Sequence, residues 1–194
     1  MLGIFLDTET NGLNPQVHRI LEIAYKIVDL STGKLIDILQ HIVFQSKDVW
    51  EKSDKKSLAI NGFSLEQVFA GEKEEDIAKE ILVSFKKHTI ERKKAVFICQ
   101  NPSFDRVFFS QLINTDLQEK LLLPYHWLDL ASMYFAISIK KAKNNQANFP
   151  WETGLSKDCI AKALSLPSEK KPHRAMNGVN HLLLCYKNLV GFCE

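Results

Sequence analysis

Two carboxylates, Asp7 and Glu9, stand two positions apart at the end of the apolar run Leu2-Gly3-Ile4-Phe5-Leu6. In an extended strand such residues point the same way. Two anions held side by side repel unless a cation sits between them, which is how oxygen-ligand sites for Mg2+ or Mn2+ are built. Taken alone, the pair is also what an exposed strand end carries. A third acid enters from a distant segment: Phe97-Ile98-Cys99 leads through Gln100-Asn101-Pro102 to Asp105, in the first turn of a helix. If the two apolar runs are neighbouring parallel strands, their carboxyl ends lie side by side, where open α/β sheets place their ligands. Asp105 then faces Asp7 across a crevice. Taken alone, Asp105 is also what a helix N-terminus favours.

The elements that must position these groups follow from pattern. Leu2–Asp7 and Ala95–Cys99 are short apolar runs, as strands buried on both faces are. Arg19–Asp29 and Lys34–Phe44 are strand-like and joined by Ser31-Thr32-Gly33, so they form an antiparallel hairpin. Trp50–Gln67 is irregular and partly helical. Ile77, Ile81 and Phe85 recur every four residues between acidic and basic ends, predicting a helix over 72–88. A helix is expected over Ser103–Ile113, with Phe104, Val107, Phe108 and Ile113 on one side. Then come a fifth strand near Tyr125–Leu128 and a helix from Asp129 to about Ser138. A polar loop is expected over Lys140–Trp151, and two more helices over Gly154–Leu166 and His173–Val190. No internal repeat or domain boundary is evident, so residues 1–194 read as one three-layer α/β domain.

Taken together, these segments resemble the DEDDh-type 3′–5′ exonucleases, the group containing the proofreading epsilon subunit of bacterial DNA polymerase III, ribonuclease T and oligoribonuclease. Phe5-Leu6-Asp7-Thr8-Glu9-Thr10-Asn11-Gly12-Leu13 is similar to the first motif of that family. Asn101-Pro102-Ser103-Phe104-Asp105-Arg106-Val107-Phe108 resembles the second, and His173-Arg174-Ala175-Met176 opens the third. Ile60-Asn61-Gly62-Phe63-Ser64 and Trp127-Leu128-Asp129-Leu130-Ala131 resemble segments between them.

The resemblance implies a ribonuclease H-like domain: a mixed five-stranded sheet, its second strand antiparallel, flanked by helices. It also implies cleavage of nucleotides from the 3′ end of single-stranded DNA or RNA by two Mg2+ or Mn2+ ions. Asp7, Glu9 and Asp105 would be metal ligands and His173 the general base, a task that suits an imidazole. Thr10 and Leu13 would hold the terminal nucleotide, with Phe63 and Asn101 nearby. Lys170, Lys171 and Arg174 would contact phosphates without reading sequence. A homodimer or a polymerase partner is compatible with the family.

One position departs from the pattern. The last carboxylate of the third motif falls five residues after the histidine, and here that position is Gly178. Asn177 and His181 are the side chains nearest to it along the helix and are the candidate substitute ligands. The departure leaves two expectations. One is a weakened or Mn2+-preferring exonuclease; the other is an impaired exonuclease fold that binds nucleic acid or a partner without cutting.

Composition agrees with a globular chain, 45% hydrophobic and 25% charged over 194 residues. Nothing approaches the ~20 apolar residues of a membrane-spanning helix, and Asp7 and Glu9 interrupt any secretory signal. A cytoplasmic location without membrane association is therefore expected. The net charge is +2, but Ile139–Arg174 holds eight basic and three acidic residues, a local excess able to attract a polyanion. Lys140, Lys141 and Lys143 would extend that cationic track or simply be solvated. The four cysteines show no metal-binding spacing, and reduced, mostly buried thiols are expected.

Overall fold

The computed structural model describes residues 1–144 and 146–193. Its centre is a five-stranded sheet of order β3-β2-β1-β4-β5, built from β1 (Leu2–Thr10), β2 (Ile20–Asp29), β3 (Leu35–Ile42), β4 (Ala95–Cys99) and β5 (Trp127–Asp129). β2 runs antiparallel to both β1 and β3, while β4 is parallel to β1 and to β5. This is the mixed arrangement expected from the sequence. The β2–β3 turn closes on Gly33 at φ +72°, where glycine avoids the Cβ penalty.

Three short helices, α1 (Lys47–Trp50), α2 (Lys55–Asn61) and α3 (Leu65–Phe69), fill the irregular stretch after β3. They close a small apolar cluster of Leu21, Phe63 and Val68. α4 (Glu74–Lys87) has three acids in its first turn and two lysines in its last, complementing its dipole. α5 (Pro102–Leu112) and α6 (Thr115–Lys120) follow β4. After β5 come α7 (Leu130–Lys143), α8 (Pro150–Thr153), α9 (Lys157–Ala163) and α10 (Ala175–Leu189).

The alternation of β1 divides the core. Ile4 and Leu6 join Ile77, Ile81 and Phe85 of α4 and Phe108 and Phe109 of α5 on one face. Phe5 packs on the other with Tyr134 of α7, Ile160 of α9 and Val179, Leu182 and Cys185 of α10. By the same alternation, Asp7 and Glu9 share the α10 face.

Several boundaries differ from the sequence reading. β1 continues to Thr10, so Asp7 and Glu9 lie within a strand rather than past its end. Its parallel pairing with β4 stops at Phe5–Ile98, while the antiparallel pairing with β2 runs on through Asp7–Ala24 and Glu9–Glu22. α7 extends to Lys143, placing Lys140, Lys141 and Lys143 in its last turns, where cations favour the helix. Asn145, in the expected polar loop, lies outside the described residues. α9 starts at Lys157, not Gly154, because Ser156 caps it by accepting from the Cys159 amide. α10 starts at Ala175, leaving His173 in the preceding loop. Val107 is exposed, and Phe109 takes the expected core position on α5. Cys99 and Cys185 are buried, Cys159 is half-buried and Cys193 exposed.

Candidate active site

The site lies where β1 outruns β4. Asp105, buried in the first turn of α5, reaches this end: its Oδ1 accepts from the Thr8 amide at 3.0 Å and the Thr8 hydroxyl at 2.8 Å. Thr8 sits between Asp7 and Glu9, so residues nearly a hundred positions apart are joined directly. Asn101 positions the turn before α5 in a left-handed conformation, φ +56°, and its amide donates to Asp129 Oδ1. Asn101 is exposed at the rim.

On the α10 face the arrangement is not the one expected. Lys157 Nζ donates to Asp7 Oδ1 at 3.0 Å and lies 3.0 Å from Glu169 Oε2. The other Glu169 oxygen, without a hydrogen-bond partner, lies 3.4 Å from His173 Nδ1. A continuous path therefore runs Asp7–Lys157–Glu169–His173. The Glu169 side chain is only 3% exposed and that of Lys157 14%, so both charges have been taken from water and depend on each other.

Sequence reasoning missed Lys157 and Glu169. Both fell inside a basic stretch read as surface charge, and no regular element links 157 to 169 or 169 to 173. The only sequence signal was one acid, Glu169, four residues before His173 in a run otherwise basic.

Gly178 is buried against the site. A Cβ there would stand 2.2 Å from Asp7 Oδ2, so the missing side chain is where the Asp7 carboxylate now lies. Neither proposed substitute fills the gap. His181 bonds the Pro167 carbonyl through Nε2 at 3.0 Å, with Nδ1 3.7 Å from Glu169. Asn177 and His181 line a separate cavity of about 190 Å3 beside Glu169.

Glu22, directly opposite Glu9 across the sheet, is a second group the sequence did not single out. It accepts from the Ala175 amide at 2.7 Å and from Gln40 at 2.7 Å. It thereby caps α10, whose N-cap Arg174 offers no side-chain bond, and ties the His173 loop to the sheet.

The electrostatics follow from burial and crowding. Burial first, then the Asp7 charge, pushes both Glu9 and Asp105 up to about 8. Burial also raises Asp7, with Lys157 opposing it. Burial would lower Lys157, but Asp7 and Glu169 outweigh it and hold the ammonium charged. Burial likewise opposes the Glu169 carboxylate, yet His181 and Lys157 bring it down to about 2. Glu9 and Asp105 have no ion-pair partner among the described residues, and Asp7 has only Lys157. Carboxylates without a paired cation are the oxygen ligands that a divalent cation takes. Ligand atoms from three residues approach within 4.8 Å of one another only at His41, Glu72 and Glu80 among the described residues. There each ring nitrogen already meets one glutamate at 3.0 Å.

The expected substrate residues divide. Leu13 is 73% exposed, three residues beyond the end of β1. Thr10 is buried, donating its hydroxyl to the Gly12 carbonyl, and the Asn61 amide nitrogen donates to the Thr10 carbonyl. Phe63 is a core residue rather than an open base platform, covered by the Arg174 guanidinium 3.7 Å from its ring centre. Lys170 and Lys171 are exposed on the loop before His173.

A family model described as Exonuclease (RNase_T) matches residues 4–180. An oligoribonuclease of Neisseria meningitidis is 40% identical over 58 residues, 30% of this chain and 31% of that protein. Among solved structures, Escherichia coli exonuclease I with bound zinc and single-stranded DNA matches with a TM-score of 0.73 at 19% identity. That match covers 97% of this chain and 40% of the other. The same enzyme with a dT13 oligonucleotide gives 0.72, also at 19% identity, covering 97% and 41%. This chain thus spans well under half the length of these relatives. The matched fold, the order of the motifs and the length of the family match agree: the chain belongs to the DEDDh-type 3′–5′ exonuclease family.

Proposed function

We propose that this protein is a metal-dependent exonuclease that removes nucleotides from the 3′ end of single-stranded DNA or RNA. The observation that carries the reading is the junction of Asp105 with Thr8, which brings a distant acid to the strand end that bears Asp7 and Glu9. Glu9 and Asp105, with Asp7 beside them, would hold the divalent ion. When bound, such an ion supplies positive charge to the scissile phosphate and acidifies a bound water. Exonuclease I bound to single-stranded DNA and to a dT13 oligonucleotide supports this class of substrate.

The chain's own residues supply the rest. Glu169 Oε1 faces His173 Nδ1 at 3.4 Å, which favours the proton on Nδ1 and leaves Nε2 to accept one from the attacking water. Arg174, held over Phe63, and the exposed Lys170 and Lys171 present cations to the phosphate backbone.

A second reading has a specific observation behind it. An ammonium bonded to Asp7 and the glycine at position 178 would also suit a fold that binds a strand without cutting it. A time course on 5′-labelled DNA and RNA oligonucleotides with Mg2+ or Mn2+ separates the two. A ladder shortening from the 3′ end is the expected result. Strand binding with an intact band in every condition overturns the enzyme and favours the binding module.

A further inference from the structure

Lys157 is the first residue of α9, capped by Ser156, and its side chain crosses to the sheet to meet two acids at 3.0 Å each. Burying an ammonium costs several kcal/mol and is recovered only by good geometry on fixed partners. Asp7 and Glu169 each lie 3.0 Å from the Lys157 ammonium, which bridges two carboxylates as a bound cation would.

We infer that Lys157 is a built-in cation of this site, supplying at Asp7 the charge a second divalent ion would bring, so that the chain takes one such ion rather than two. The inference rests on the metal-dependent reading above.

Three observations support it. Asp7 Oδ1 is occupied by Lys157, and Oδ2 lies against α10 where even a Cβ would approach to 2.2 Å. No side chain of α10 offers a further ligand there, because His181 bonds Pro167 and Asn177 lines the neighbouring cavity. The ion pairs also divide the site: Lys157 is shared by Asp7 and Glu169, while Glu9 and Asp105 are left without an ion-pair partner among the described residues. Two unpaired carboxylates, once they release their protons, complement the charge of one divalent ion.

The test is the number of ions bound. Mn2+ is titrated into the full chain, with binding followed by calorimetry and by the paramagnetic resonance of free Mn2+. The wild type is expected to bind one ion per chain. Lys157→Met, which keeps much of the side chain's bulk and drops its charge, is expected to bind two, the second between the vacated Asp7 and Glu169 oxygens. Two ions on the wild type, with cleavage intact, overturn the inference and leave the proposed function standing. A count that stays at one in a folded Lys157→Met also overturns it. No ion on the wild type overturns both. Should the variant fail to fold, the wild-type count alone decides.

Discussion

Gly178 and Asp7 are in direct contact across the α10–β1 interface: a Cβ on the glycine would lie 2.2 Å from Oδ2 and 2.5 Å from Cγ of the carboxylate. Glycine in a helix interior costs about 1 kcal/mol relative to alanine. Here the missing side chain lets the Asp7 carboxylate lie against the helix while bonded to Lys157.

Restoring a side chain at this position is therefore expected to harm the protein. Gly178→Ala regains about 1 kcal/mol of helix propensity but overpacks a filled site at about 1–3 kcal/mol, so thermal unfolding is expected to show a net loss. Gly178→Asp adds a negative charge against Asp7 as well. Its 3′-end hydrolysis is expected to fall about tenfold, a shift of about 1.4 kcal/mol in the barrier. A rate gain in that variant would show that Asp7 moves aside and that the glycine is a simple deletion of a ligand.

Glu169 holds Lys157 and faces His173 and His181. Glu169→Gln is expected to destabilise the protein by roughly 3 kcal/mol at neutral pH, because it leaves a buried ammonium half-paired. The Glu169 carboxyl stands at about 2 in the folded chain against an ordinary 4.5. A depressed acid contributes stability that is full above its ordinary value and lost as pH falls through the folded one. The gap between wild type and variant in denaturant midpoints should therefore close between pH 4.5 and 2.

Glu9 and Asp105 shift the other way, both to about 8. A raised acid contributes stability that is full below its ordinary value and lost as pH rises through the folded one. The metal-free protein is accordingly expected to lose stability as pH rises from 4.5 to about 8, and added divalent ion to restore it. Ion binding must displace these protons. Calorimetry at pH 7 in buffers of different ionisation enthalpy should show proton release, and affinity should climb with pH and level off above about 8.

Leu13 and Arg174 separate binding from folding. Leu13 is exposed, so Leu13→Ala should change stability by less than about 0.5 kcal/mol while raising KM for an oligonucleotide severalfold. Arg174→Ala also removes the guanidinium from the Phe63 ring, at a cost of about 1 kcal/mol. If Arg174 touches a phosphate, the salt dependence of strand binding should weaken by about one unit of slope. An unchanged slope would confine Arg174 to packing.

The sheet was legible because its signals are local. Leu2–Leu6 and Ala95–Cys99 are continuous apolar runs, and a glycine turn joins the hairpin strands, so pairing followed from pattern. Helix ends were less legible: where α9 and α10 begin depends on which acceptor takes the free amides. Ser156 is a local cap, but Glu22 reaches Ala175 from across the sheet, and no window of sequence shows that.

The sequence by itself singled out Asp7, Glu9, Asp105 and His173 as the candidate groups and Gly178 as the departure, because their resemblance to the family's motifs is a property of the chain. Only the tertiary structure decided what stands beside Asp7. Lys157 meets it from a helix start and is held in turn by Glu169 from an irregular loop, a pairing driven by the cost of burying each charge alone. That cost exists only once the layers have closed and water has been expelled.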